Sequence, residues 1–196
     1  MVADGSGGAF IAWGGHWVGS TYPSAQRLDT DGHRLWQDEG IRAAETDGIW
    51  IQTSLSEDSG LLMAWSRVYD AVVQKLDANG HRMWGDTGTS LTNRLGNIYP
   101  VSVAVVTDAH GGAIVAWVEG LSYSYGVVYV QRIDRAGIPQ WQADGIALTS
   151  SVKSFLSDVA ICSDNHGGAI LCWANSTDVT MYAQRVDSAG VIRWTP

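Results

Sequence analysis

Between residues 100 and 148 the hydrophobic pattern of the chain changes four times. Pro100–Asp108 is β-branched and almost wholly apolar, Ala109-His-Gly-Gly112 is a turn, and Ala113–Trp117 is a second apolar run. A loop from Val118 to Gly126 follows. Val127–Asp134 then alternates apolar and polar positions, with Gln131 and Arg132 interrupting it. Arg135-Ala-Gly137 turns the chain, and a last extended piece runs from Ile138 past Trp141 to Leu148. Continuous apolar runs bounded by turns predict strands covered on both faces, and alternation predicts a half-buried strand. No stretch carries apolar residues at helical spacing, and no capping box precedes one. The expectation is four antiparallel strands, dry on the inside and wetter toward the outer edge.

The same pattern recurs along the whole chain. One phrase reads ADGSGGAFIAW to Trp13, SEDSGLLMAW to Trp65, DAHGGAIVAW to Trp117 and DNHGGAILCW to Trp173. A second reads AQRLDTDGHRLW to Trp36, VQKLDANGHRMW to Trp84, VQRIDRAGIPQW to Trp141 and AQRVDSAGVIRW to Trp194. A period of about fifty residues signals a solenoid, a propeller or an array of stacked units. Four-stranded units whose inner strands are buried on both faces fit an all-β fold, a β-propeller of four repeats, each an antiparallel blade. The blades span approximately residues 1–44, 45–95, 96–150 and 151–196 of a single domain, the first and last truncated.

The turns have mechanical roles. Gly7-Gly8, Gly111-Gly112 and Gly167-Gly168 suit positive φ, and Asp4, Asp108 and Asp164 are placed to bond back to the turn amides. The second copy departs from this, with Ser59-Gly60. Asp29, Asp77, Asp134 and Asp187, each three residues before a Gly, build the same tight hairpin, and a Trp follows four residues after that Gly. Trp13, Trp36, Trp65, Trp84, Trp117, Trp141, Trp173 and Trp194 read as pegs packed between blades.

These two phrases resemble the repeats of large, often secreted, bacterial β-propeller proteins of unassigned function. The resemblance implies a propeller and an extracellular or cell-surface setting. The second phrase also resembles the tryptophan-docking repeat of quinoprotein dehydrogenases at Asp134, Gly137 and Trp141. The Thr usual before that Gly is missing, being Asp31, Asn79, Ala136 and Ala189. No quinone site or adjacent-cysteine pair accompanies it, so what is shared is blade mechanics.

Composition narrows the function classes. Ten Trp and 23 Gly against two Phe in 196 residues suit short strands and tight turns. A net charge of −8 without a Lys/Arg cluster argues against nucleic acid. No apolar run reaches bilayer length, so no membrane insertion is expected, and Met1-Val-Ala-Asp4 has no signal-peptide character. Cys162 and Cys172 flank one turn and read as two small buried hydrophobes or a diagonal disulfide.

The turns between strands one and two, and three and four, are nearly invariant between copies and lie on one edge of the unit. The links between strands two and three, and from unit to unit, vary freely on the other edge. Recognition normally sits on variable loops held by a rigid scaffold. His16, Trp17, Tyr22, Tyr69, Tyr123 and Tyr125 on that edge are the candidate ligand-binding residues, for a carbohydrate or protein ligand. His110 and His166, and His33 and His81, repeat in turns too far apart to share an ion. Asp29-Thr-Asp31-Gly32 starts like a calcium loop but lacks its later ligands, so no metal and no cofactor is expected. No nucleophile elbow, zinc-protease motif or phosphate loop is present, so no catalytic residue is assigned. The reading is a non-catalytic recognition or scaffold module. The alternatives are an assembly unit that completes a larger ring by homodimerisation through incomplete blades, and a degenerate quinoprotein-like or glycosidase propeller. A slice of a longer array, a closed four-bladed ring and two chains sharing eight blades all remain open.

Overall fold

The computed structural model describes residues 1–14, 22–92, 99–122, 125–150, 156–175 and 177–194; the side chains of 99, 121, 122, 125 and 157 are outside that description. The described residues are all-β and form four antiparallel sheets, one per repeat. The first holds β1 (Val2–Ala3), β2 (Ala9–Trp13), β3 (Ser24–Leu28) and β4 (Ile41–Arg42). The second holds β5 (Ile49–Leu55), β6 (Leu61–Arg67), β7 (Asp70–Leu76) and β8 (Thr89–Ser90). The third holds β9 (Tyr99–Thr107), β10 (Ala113–Ser122), β11 (Tyr125–Ile133) and β12 (Ile146–Ala147). The fourth has three described strands, β13 (Leu156–Ser163), β14 (Ala169–Asn175) and β15 (Thr180–Val186). In each sheet the strands pair in chain order.

Two boundaries differ from the sequence pattern. The expected loop 118–126 is largely sheet, because β10 and β11 pair onward through Val118↔Val128 and Glu119↔Val127 to Gly120↔Gly126. The outermost strand shrinks to Ile146–Ala147, since Gly145 turns with φ +79° and its N–H bonds back to the Gln142 carbonyl.

The sheets pack in sequence. β5 adjoins β1 and β2, β9 adjoins β5, β6 and β7, and β13 adjoins β9, β10 and β11. The first strands β1, β5, β9 and β13 therefore neighbour one another in series. Side chains alternate between the two packed faces, as a strand period of two requires. Leu61, Met63 and Trp65 face the first sheet, whereas Leu62 and Ala64 face the third beside Val115 and Trp117. Ile114, Ala116 and Val118 pack in turn against Leu171 and Trp173.

One joint repeats between successive sheets. The Trp36 indole N–H donates to the Ala78 carbonyl at 3.2 Å, that of Trp84 to Arg135 at 3.2 Å, and that of Trp141 to Ser188 at 3.2 Å. Each ring lies over a glycine of the next sheet, Gly80, Gly137 and Gly190 respectively. A Cβ on Gly137 would stand 2.7 Å from the Trp84 ring, so only glycine admits the contact. Arg27 and Arg132 add a second donor to the Ala78 and Ser188 carbonyls, at 3.3 and 3.4 Å.

The third strand is not wetter at its polar interruption. Gln26, Gln74, Gln131 and Gln184 are all buried. Gln131 Oε1 accepts the N–H groups of Arg132 and Trp141, and its Nε2 donates to the Gln142 carbonyl. Gln26, Gln74 and Gln184 do the same for Trp36, Trp84 and Trp194. Each glutamine pins the backbone that presents the docking tryptophan.

Candidate functional site

The invariant edge is built by carboxylates. Asp108 Oδ1 accepts the N–H groups of His110 at 2.8 Å and Gly112 at 2.7 Å, while Oδ2 holds Arg132 from the neighbouring strand. Asp4 with Arg27, and Asp164 with Arg185, repeat the arrangement. The Arg27 hydrogen bond, reinforced by the turn N–H groups, holds the Asp4 carboxyl below its usual range. The second repeat changes three residues together. Ser56 Oγ accepts the Gly60 N–H, and Lys75 replaces the arginine, reaching Asp58 at 2.7 Å and the Gly111 carbonyl at 2.9 Å. These groups are saturated by the turns they hold.

Asp29, Asp31 and His33 offer ligand atoms within 4.8 Å of one another. Asp29 Oδ1 already accepts the N–H groups of Asp31 and His33, and Oδ2 stands 3.3 Å from His33 Nδ1. Asp77 and His81 form the same turn in the second repeat.

The variable edge is less evenly filled. His16, Trp17 and Tyr123 lie outside the described residues, as does the side chain of Tyr125. Tyr22 is half-buried, with the Arg42 guanidinium 4.2 Å from its ring centroid. Tyr69 is exposed in the two-residue link Val68-Tyr69 between β6 and β7, and Thr92 Oγ1 donates to its carbonyl at 3.4 Å. Of the proposed pegs, Trp65, Trp84, Trp117 and Trp173 are buried and Trp36 and Trp141 half-buried, whereas Trp13 and Trp194 are exposed.

One residue on this edge was not a candidate from sequence. Trp50 sits in a bulge of β5 with φ +52° and is 45% exposed. A bulky side chain in the left-handed region costs about 1–3 kcal/mol, and a bulge re-aims the side chain it carries. Asp158 adopts the same conformation at the corresponding bulge of β13. Only a tryptophan outside the repeat pattern marks Trp50 in the sequence.

The strand opposite this bulge carries buried polar atoms that lack a hydrogen bond among the described residues. They are Trp65 Nε1, Ser66 Oγ and Arg67 Nε on β6, with Thr46 Oγ1 in the adjoining link. All lie at one end of β6 or beside it, where Ile49 pairs with Ser66 and Gln52 with Ala64, leaving Trp50 and Ile51 across from Trp65, and Ser66 points to the opposite face of the sheet from Trp65 and Arg67. Arg67 Nε stands 3.6 Å from Asp47, within ion-pair range but long for a hydrogen bond. In the third sheet the matching indole is satisfied, as Trp117 donates to Glu119 Oε1 at 2.9 Å. Asp70, at the start of β7, has its carboxyl pushed up by burial.

Cys162 is exposed and Cys172 half-buried, both as free thiols. Cys162 pairs with Ile170 and Cys172 with Ala160, so the cysteines are diagonal neighbours. Burial of both thiols, one of the two sequence readings, does not hold for Cys162.

No protein-family model, curated protein or solved structure matches this chain.

Proposed function

We propose that the chain is a non-catalytic β-propeller module. In this reading the four sheets are blades set around an axis lined by β1, β5, β9 and β13, and the variable edge binds a polar ligand, a carbohydrate or a peptide. The observation that carries the reading is Trp50, an aromatic held exposed at the bulge of β5 on left-handed backbone. Such a strained, exposed aromatic supplies the apolar platform on which sugar rings and peptide side chains stack. Tyr69, two residues beyond Arg67, extends the surface.

The test is a screen of immobilised glycans and short peptides against the whole chain, repeated with Trp50→Ala and Tyr69→Ala. Binding that falls at least tenfold in both variants supports the reading. Retention of no glycan or peptide, or equal binding by all three proteins, overturns it.

The second reading is assembly. It is favoured by a different observation, the uncovered faces of the first and fourth sheets.

A further inference from the structure

The joint that fastens each sheet to the next is left half-made at both ends of the stack. Trp194 stands where Trp36, Trp84 and Trp141 stand in the earlier repeats. Among the described residues its indole has no hydrogen-bond partner, and the ring is 42% exposed. At the other end Gly32 occupies the place of Gly80, Gly137 and Gly190, with φ +81°, and among the described residues nothing lies within 4 Å of a Cβ built there. The carbonyl of Thr30, counterpart of those of Ala78, Arg135 and Ser188, accepts no hydrogen bond among the described residues. Arg185 reaches Asp164 as its counterparts reach their own carboxylates, but has no carbonyl across a joint, and it is more exposed than Arg27 or Arg132.

The sheet faces show the same asymmetry. Trp13 is 42% exposed, whereas Trp65, Trp117 and Trp173 at the same position are 0%, 0% and 5% exposed. Those three face the preceding sheet, and Trp13 faces where a preceding sheet would stand. On the fourth sheet Ile170, Cys172 and Ala174 are half-buried, while Ile114, Ala116 and Val118 are covered by the sheet that follows them.

We propose that a second copy of this chain completes the joint, with the fourth sheet of one copy packed on the first sheet of the other. Trp194 then seats on Gly32 of the second copy and donates its indole N–H to the Thr30 carbonyl there. Ile170, Cys172 and Ala174 cover Ala9, Ile11 and Trp13. What selects a second copy is that the two bare faces are the two halves of a contact made three times within each chain. The contact is head-to-tail, so two copies that make both joints form a closed pair. This inference rests on the stacking of the sheets and is independent of ligand binding at the variable edge.

Sedimentation velocity of the whole chain over a concentration series tests it, with Trp194→Ala, Gly32→Asn and an equal mixture of the two. Asparagine tolerates the left-handed backbone while its side chain fills the cradle. No described atom lies within 4 Å of a Cβ built at Gly32, so Gly32→Asn retains the wild-type far-UV spectrum. The expected result is a species of two or more chains for the wild type and single chains for each variant. The mixture regains a two-chain species, because Trp194→Ala keeps an intact cradle and Gly32→Asn an intact tryptophan. A wild type that stays a single chain at every concentration overturns the proposal. So does continued association of both variants, or a mixture that stays dissociated.

Discussion

Arg132 grips Asp108 through two guanidinium nitrogens, each 2.9 Å from Oδ2, across the third sheet from β11 to the turn before β10. The carboxylate is buried and its other oxygen anchors the turn. Replacing it removes an ion pair and the acceptor of two backbone N–H groups at once. Asp108→Ala is expected to cost about 2–4 kcal/mol, the upper figure moderated by the partly solvated arginine. Urea denaturation measures the loss, and a cost below about 1 kcal/mol contradicts the structural role assigned here.

Acid should weaken the fold through the same class of group. Arg27 holds Asp4 below its ordinary range, and the Val191 and His33 N–H groups do so for Asp187 and Asp29. A depressed folded value means that the unfolded state binds more protons, so these contributions are present above about pH 4 and fade as pH falls through the folded values. Asp70, raised by burial, acts in the opposite sense and at higher pH, between the ordinary carboxylate value and its own raised one. Melting temperature is expected to drop below about pH 4, and Asp4→Asn to flatten that drop. A wild-type curve level down to pH 3 would contradict the assignment.

Gln131→Leu tests the buried amides. The substitution leaves the N–H groups of Arg132 and Trp141 unpaired beneath the sheet. The expected loss is about 2–3 kcal/mol in denaturant unfolding, with Gln131→Glu unable to restore the bond to the Gln142 carbonyl.

Trp117 and Trp13 share one motif position in different surroundings. Truncating the fully buried Trp117 to alanine is expected to cost about 3–5 kcal/mol. Trp13→Ala should cost much less in dilute solution, and progressively more as protein concentration rises if a second copy covers that face. Thermal melts of both variants at two concentrations separate these outcomes.

Trp50→Asn should uncouple stability from binding. Asparagine accepts the left-handed backbone that strains a tryptophan, so unfolding free energy is expected to stay within about 1 kcal/mol of wild type or to rise. Ligand retention should fall. A large destabilisation would instead make Trp50 a packing residue.

The repeat, the all-strand character and the Asp-Gly turns were legible because each rests on local chemistry copied four times. The role of Gln26, Gln74, Gln131 and Gln184 was hidden by a general habit. A polar side chain in an alternating strand reads as solvent-facing, although its recurrence at one register in all four copies was a signal of fixed work. The sequence marked the second copy only by its Ser59-Gly60, and the coordinated change to Ser56, Asp58 and Lys75 was hidden, since only spatial proximity shows Lys75 taking over the ion pair. Trp50 was illegible because a bulge depends on how two strands align. Of the loop aromatics, Tyr22 and Tyr69 can be placed, one in the first repeat and one in the second.

The glycine seats have a consequence for how such a molecule grows. Since Gly80, Gly137 and Gly190 each seat the indole of the repeat before them by the same contact, a duplicated segment would bring its own joint with it, and Trp194 and Gly32 carry the same plug and socket as the interior.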